Sequence, residues 1–203
     1  VLCDLDFLET LSDRHFTSGY AEVVKYGFIN DKKFFEFLDK NLSAIKNRDK
    51  DILQQIIVKS CQIKAKIVEL DEKENGLRAT LNFGHTFGHV FEKQTGYCDV
   101  LFHGEAIAIG MVMAAKMSVN LGFLDQDLAF LISDHLRKIG LPTSIKNIKN
   151  NSWRMADLVS HLYKDKKVDG QNLTFILLEN IGKCSIKKNI DEKEFIKVVG
   201  VEL

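Results

Sequence analysis

Proline is nearly absent from this sequence: Pro142 is the only one in 203 residues. With so few enforced chain breaks and several long amphipathic runs, the chain is expected to be mostly helical. Cysteine is also scarce. Cys3, Cys61, Cys98 and Cys184 are scattered with no C-x-x-C pair, which excludes a zinc knuckle or a dense disulfide frame. A reducing, cytoplasmic setting is the plainer reading of that usage. Net charge is missing altogether, with Lys+Arg 28 against Asp+Glu 28. That balance excludes a broadly cationic nucleic-acid binder while leaving room for a local basic pocket. Long apolar runs are lacking too. The longest, Ala106 to Ala115, is about half of what a membrane span needs. Asp4 and Asp6 interrupt the N-terminus where a signal peptide would be apolar.

What remains is the composition of an ordinary globular protein, 45% hydrophobic and 28% charged, of a size that buries a substantial core. The pattern predicts one compact domain over 1–203: mainly α, multihelical, with a small β-hairpin near the C-terminus. After a short apolar stretch over 1–15, Thr17 or Ser18 is expected to cap a helix running to Asn30. Further helices are expected over 32–42, 49–70, 82–95, 105–120, 125–139, 151–164 and 191–199. Gly122 and Gly140 mark two of the ends. Leu173 to Leu178 and Cys184 to Lys187 read as the hairpin, turning across Glu179 to Gly182. No repeat, low-complexity tract or flexible linker interrupts this order.

Chemistry concentrates in Asn82-Phe-Gly-His85-Thr-Phe-Gly-His89 and in His103-Gly-Glu105, so three of the six histidines fall between positions 85 and 103. His85 and His89 share a helix face, and a short link makes the two helices antiparallel neighbours, returning His103 toward His85. Two imidazoles from adjacent helices plus a carboxylate form a catalytic zinc site with one open position. Packing histidines in a helical core are the competing reading. The neighbouring Gly84, Gly88 and Gly104 weigh against it, because each costs about 1 kcal/mol in a helix relative to Ala unless close approach demands it. The carboxylate could be Glu22, Glu92 or Glu105. Glu22 lies in an apolar-flanked run and needs a buried partner; Lys25, three residues on, would make it an ordinary surface ion pair. Lys64, Arg78, Lys166 and Lys167 form a second, basic set that could line a pocket for an anion, with Arg78 suited to bidentate contact.

Taken in order, Phe7-Leu-Glu-Thr10, Gly19-Tyr-Ala-Glu22-Val-Val-Lys25, Lys64-Ala, Asp71-Glu-Lys-Glu74-Asn-Gly-Leu-Arg78, Leu81-Asn-Phe-Gly-His85-Thr-Phe-Gly-His89, His103-Gly-Glu and Asp165-Lys-Lys167 resemble the C-terminal domain of the 3-dehydroquinate synthase family over essentially the whole chain. The combined motifs are specific where each alone is weak. The resemblance implies a metal site of Glu22, His85 and His103, holding zinc or cobalt. It places His89 beside that site in a proton-handling role. It assigns Lys25, Lys64, Arg78, Asn82 and Lys166 or Lys167 to substrate handling, and Phe7, Leu8, Glu9 and Thr10 to contact with NAD.

The activity so implied is conversion of 3-deoxy-D-arabino-heptulosonate 7-phosphate to 3-dehydroquinate and phosphate, in the shikimate pathway, with NAD used and regenerated within a turnover. The family's Rossmann-like NAD-binding domain precedes the point where this chain begins, at Val1 rather than Met, and no Gly-rich dinucleotide fingerprint is present. The chain is therefore expected to be an inactive fragment of a larger, homodimeric enzyme, with no nucleic-acid or membrane partner. His85 and His103 are expected at helix starts, where the helix dipole disfavours imidazolium. Three alternatives stand beside this reading: another sugar-phosphate cyclase, an iron- or zinc-dependent alcohol or glycerol dehydrogenase, and a helical interaction module with incidental histidines.

Overall fold

Short polar side chains set the helix starts. In the computed structural model, which describes residues 3–73, 76–149, 152–165 and 173–203, Ser12 caps α1 (Asp13–Ile29), Asp31 caps α2 (Lys32–Lys40) and Asp49 caps α4 (Lys50–Leu70). Each side-chain oxygen accepts from a backbone N–H of the first turn. A short α3 (Leu42–Lys46) lies between α2 and α4. After these come α5 (His85–Gln94), α6 (His103–Asn120), α7 (Gln126–Ile139), α8 (Met155–Asp165), strands β1 (Leu173–Asn180) and β2 (Lys183–Ile190), and α9 (Glu192–Gly200). Three 3-10 turns cover Leu5–Thr10, Leu77–Asn82 and Ile145–Asn147. The expected mainly helical class with one C-terminal hairpin is what the chain adopts.

Of the expected helix starts that move, two have a visible cause, while α6 begins at His103 rather than 105 and α8 at Met155 rather than 151. The first helix begins at Asp13 rather than after Thr17 or Ser18, because Ser12 caps it and Ser18 is used elsewhere: its hydroxyl accepts from the Gly104 N–H on α6 at 3.0 Å. Asn82 belongs to a 3-10 turn, and α5 begins three residues later, because Gly84 takes a left-handed φ of 82° that a continuing helix cannot hold.

The organising element is α6. The apolar run 106–115 that is too short for a membrane lies entirely in the core, as a helix apolar on all sides must. No helix among the described residues is long and apolar enough to cross a membrane. Around α6 pack α1, α5, α7, α9 and β1. The antiparallel hairpin pairs Ile176 with Ile186 and Leu177 with Ser185. Its β1 strand buries Leu173, Phe175, Leu177 and Leu178, and Ser118 of α6 pins it by accepting from the Leu178 N–H at 3.0 Å. The hairpin turn docks on the end of α1, with the Gly182 N–H donating to the Phe28 carbonyl at 2.8 Å.

Candidate metal centre

Close helix approach builds the centre. A Cβ on Gly104 would fall 1.8 Å from the Ser18 carbonyl oxygen of α1, and one on Gly110 would fall 2.1 Å from the Gly84 carbonyl oxygen. Neither position tolerates a side chain, so α1, α5 and α6 meet backbone to backbone. Gly84 abuts Met111 and Gly88 abuts Ala106, which makes α5 and α6 antiparallel, as the short link requires. His85 and His103 are the first residues of their helices, whose N-termini point in opposite directions, and their side chains converge on Glu22 of α1.

There, ligand atoms of Glu22, His85 and His103 lie within 4.8 Å of one another. Glu22 Oε1 is 3.5 Å from His85 Nε2 and 3.9 Å from His103 Nε2. Glu22 Oε1 is buried and has no hydrogen-bond partner. A buried carboxylate oxygen without a donor is costly, and a cation would answer it. The other oxygen, Oε2, accepts from the Lys25 ammonium at 2.5 Å. That pair forms as the spacing suggested, but not at the surface, since Lys25 is 3% exposed. The donor set fits a divalent ion such as zinc: one carboxylate oxygen and two imidazole nitrogens.

The far nitrogens of both rings are also held. His85 Nδ1 faces the Phe83 carbonyl at 3.2 Å and His103 Nδ1 faces Glu92 Oε1 at 3.0 Å. Burial, with the Lys25 cation behind it, pushes His85 down to about 4. His103 departs from the expectation of a dipole-suppressed imidazolium: the Glu92 carboxylate raises it above the usual value, against partial burial. Burial alone would raise Glu22, but Lys25 and then the two imidazoles hold it below the ordinary carboxylate range.

The three carboxylates left open by the sequence now separate. Glu22 faces the two Nε2 atoms and Glu92 stands behind His103. Glu105 is taken up by Arg14, at 2.6 and 2.7 Å, and by the Phe102 N–H at the start of α6. Arg14, which the sequence reading passed over, also donates to the carbonyls of Asp99 and Val100 and lies 3.9 Å over the Phe102 ring. It thereby fixes the loop that delivers His103.

His89 sits beside the centre, its ring 5.4 Å from His85 and 6.4 Å from His103. Asn82, His85, His89, Thr86 and Thr174 line one cavity of about 260 Å³. Lys64, exposed on α4, is near enough to Lys25 to disfavour its charge. Arg78 donates to the Glu72 carbonyl at 2.9 Å, and its N–H, with that of Gly76, is held by the Asp71 carboxylate. Lys166 and Lys167, like Glu74 and Asn75, lie outside the described residues. Phe7, Leu8, Glu9 and Thr10 belong to the 3-10 turn Leu5–Thr10, with Leu8 half-buried against the core and the other three exposed. The turn's recorded ties are to the start of α4 and not to the triad: Arg48 donates to the Leu8 and Glu9 carbonyls, and Lys50 pairs with Asp6 and Glu9. A larger cleft, about 1070 Å³, opens by Arg14, Glu105, Arg137 and Pro142; of the residues considered for the site, Glu105 alone lines it.

The family model for the 3-dehydroquinate synthase C-terminal domain matches residues 19–168. The chain belongs to the 3-dehydroquinate synthase family. Within it, the 3-dehydroquinate synthase of Dictyoglomus thermophilum is 44% identical over 98% of the chain, and that of Thermodesulfovibrio yellowstonii is 46% identical over 98%. The chain spans about half the length of these curated relatives, 54% of each. Solved structures share the fold. The 2-epi-5-epi-valiolone synthase ValA from Streptomyces hygroscopicus subsp. jinggangensis, with NAD+ and Zn2+ bound, superposes with a TM-score of 0.83 at 22% identity. It covers 98% of this chain, which in turn covers 54% of it. A 2-deoxy-scyllo-inosose synthase complexed with carbaglucose-6-phosphate, NAD+ and Co2+ gives 0.80 at 24% identity, over 95% of this chain and 54% of that one. The Asn82 to His89 motif spans the start of α5, and the triad lies at the junction of α1, α5 and α6.

Proposed function

We propose that this chain is the metal- and substrate-binding half of a 3-dehydroquinate synthase, acting on 3-deoxy-D-arabino-heptulosonate 7-phosphate with zinc or cobalt and NAD. The observation that carries the reading is the orphaned Glu22 Oε1 facing two imidazole nitrogens, within a chain 44–46% identical to synthases of that name. Glu22, His85 and His103 hold the ion. When bound, the ion acidifies and polarises a substrate hydroxyl, and NAD takes up and returns a hydride.

The chain's own residues do the rest. Both ligand imidazoles present Nε2 as a lone pair, because Nδ1 of each faces a group that can only accept a proton. Lys25 and Lys64 keep the neighbourhood of the carboxylate cationic, which suits a substrate bearing carboxylate and phosphate. Arg78, Asn82 and one of Lys166 and Lys167 complete the anion and hydroxyl contacts. His89 and Asn82 flank the cavity next to His85, where His89 can take or return a proton. The turn over Phe7 to Thr10 contributes part of the NAD contact.

The half-length match to the relatives supports a second segment beyond these residues; on this reading that segment binds most of the NAD and the whole is a homodimeric cytoplasmic enzyme. The test is phosphate release from the heptulosonate phosphate by the chain together with its natural N-terminal segment, given NAD and zinc. Phosphate without net NADH is expected. NADH from a simple alcohol without phosphate release would move the protein to the dehydrogenases. Turnover by the isolated 203 residues would contradict the division of labour.

A further inference from the structure

Glu92 is a buried carboxylate that the metal triad does not use. It lies on α5, 8% exposed, two helical turns beyond His85, and its Oε1 meets His103 Nδ1 on α6 at 3.0 Å. An ionised carboxylate has no proton to give, so the ring nitrogen must donate. Nε2 of His103 is then left as a lone pair, and it points toward Glu22 Oε1. His85 reaches the same tautomer through a weaker partner, the neutral Phe83 carbonyl. The two rings also differ in exposure. The His85 side chain is 13% exposed, while that of His103 is 50% exposed, beside the rings of His85 and His89, with Glu92 holding its Nδ1.

We propose that Glu92 is a positioning residue of the centre: it locks the tautomer and orientation of His103 and strengthens it as a ligand. This rests on the metal reading above. The competing role is a plain interhelical ion pair that holds α5 to α6 and has no bearing on the ion. The two are separable. A carboxylate behind a ligating imidazole changes metal affinity by about 10–100-fold when removed. An interhelical pair changes folding stability and leaves the affinity of the folded protein alone.

The experiment is a zinc titration against a chromophoric chelator, on the wild-type chain and on Glu92→Leu and Glu92→Gln, with folding checked by circular dichroism. Glu92→Leu should bind zinc about 10–100-fold more weakly. Glu92→Gln, whose amide oxygen can still accept from Nδ1–H, should stay close to wild type. Folded Glu92→Leu with unchanged zinc affinity overturns the proposal, and so does equal loss in both variants. Long-range nitrogen–proton correlation spectra of neutral His103 in the metal-free wild-type chain need no variant to fold. They should show the proton on Nδ1, and a proton on Nε2 would overturn the assignment. Failure of the wild type to bind zinc overturns the metal reading together with this one, whereas zinc binding that ignores Glu92 overturns this one alone.

Discussion

Lys25 gives Glu22 a role beyond that of a proposed ligand. Burial lowers the Lys25 pKa and Glu22 offsets only part of that, so the buried ammonium depends on the carboxylate that faces it. Removing Glu22 therefore removes two things at once. Glu22→Ala should cost about 3 kcal/mol of stability in addition to the metal, as breaking a buried pair from one side does. His85→Ala should lose the metal with little stability cost, since its ring takes part in no buried ion pair of this kind. Urea denaturation of the two variants without metal checks the contrast. Glu22→Leu combined with Lys25→Met should recover most of the loss. At this scale the sequence was informative where spacing carried the signal. His85, His103 and the i+3 partner Lys25 are visible in the residue order. The separate duties of Glu22, Glu92 and Glu105 are not, because they depend on which helix faces which.

Between elements, the junction of α1, α5 and α6 depends on the absence of side chains. Gly104→Ala places a methyl group against the Ser18 backbone at 1.8 Å, and backbone cannot rotate aside as a side chain can. The two helices must separate. The expected cost is about 3 kcal/mol, the upper end for overpacking, read as a lowered urea midpoint together with weakened zinc binding, because His103 moves with α6. Gly19→Ala, in the same α1 helix with open space around its Cβ position, is the matched control and should be tolerated.

A second junction is polar. Asp39 of α2, His135 of α7 and Tyr20 of α1 form a relay, buried at His135 and Tyr20 and partly exposed at Asp39, with contacts of 2.8 and 2.9 Å. Burial lowers the His135 pKa despite Asp39. The unfolded chain, with His135 near 6.5, thus binds protons before the folded one does. Its contribution to stability is present above about pH 6.5 and is lost as the pH falls through the lowered folded value. His135→Gln should be less stable at pH 7 by about 1–3 kcal/mol, from imperfectly satisfied Tyr20 and Asp39 groups. Its stability should also fall less steeply than wild type between pH 7 and 5. An identical slope would show that His135 is not the group responsible. This relay was not legible beforehand. Its three members lie on three helices far apart in sequence, with no local spacing to join them. By contrast, the helix ends at Gly122 and Gly140 and the hairpin turn were legible because their chemistry is local.

For the whole molecule, the single core wraps α6, and the hairpin and α9 close over it. The helical class followed from composition and periodicity, and two of the displaced helix starts from tertiary demands: a hydroxyl needed by another helix and a glycine forced left-handed. The chain spans about half the length of its relatives, and the three candidate ligands Glu22, His85 and His103 all lie within it. Ion binding is accordingly the claim to test first. Zinc content after gel filtration should be one ion per wild-type chain and none in His85→Ala, with unchanged helical circular dichroism in both. A wild-type chain that retains no zinc, or a His85→Ala chain that retains it undiminished, would contradict the account.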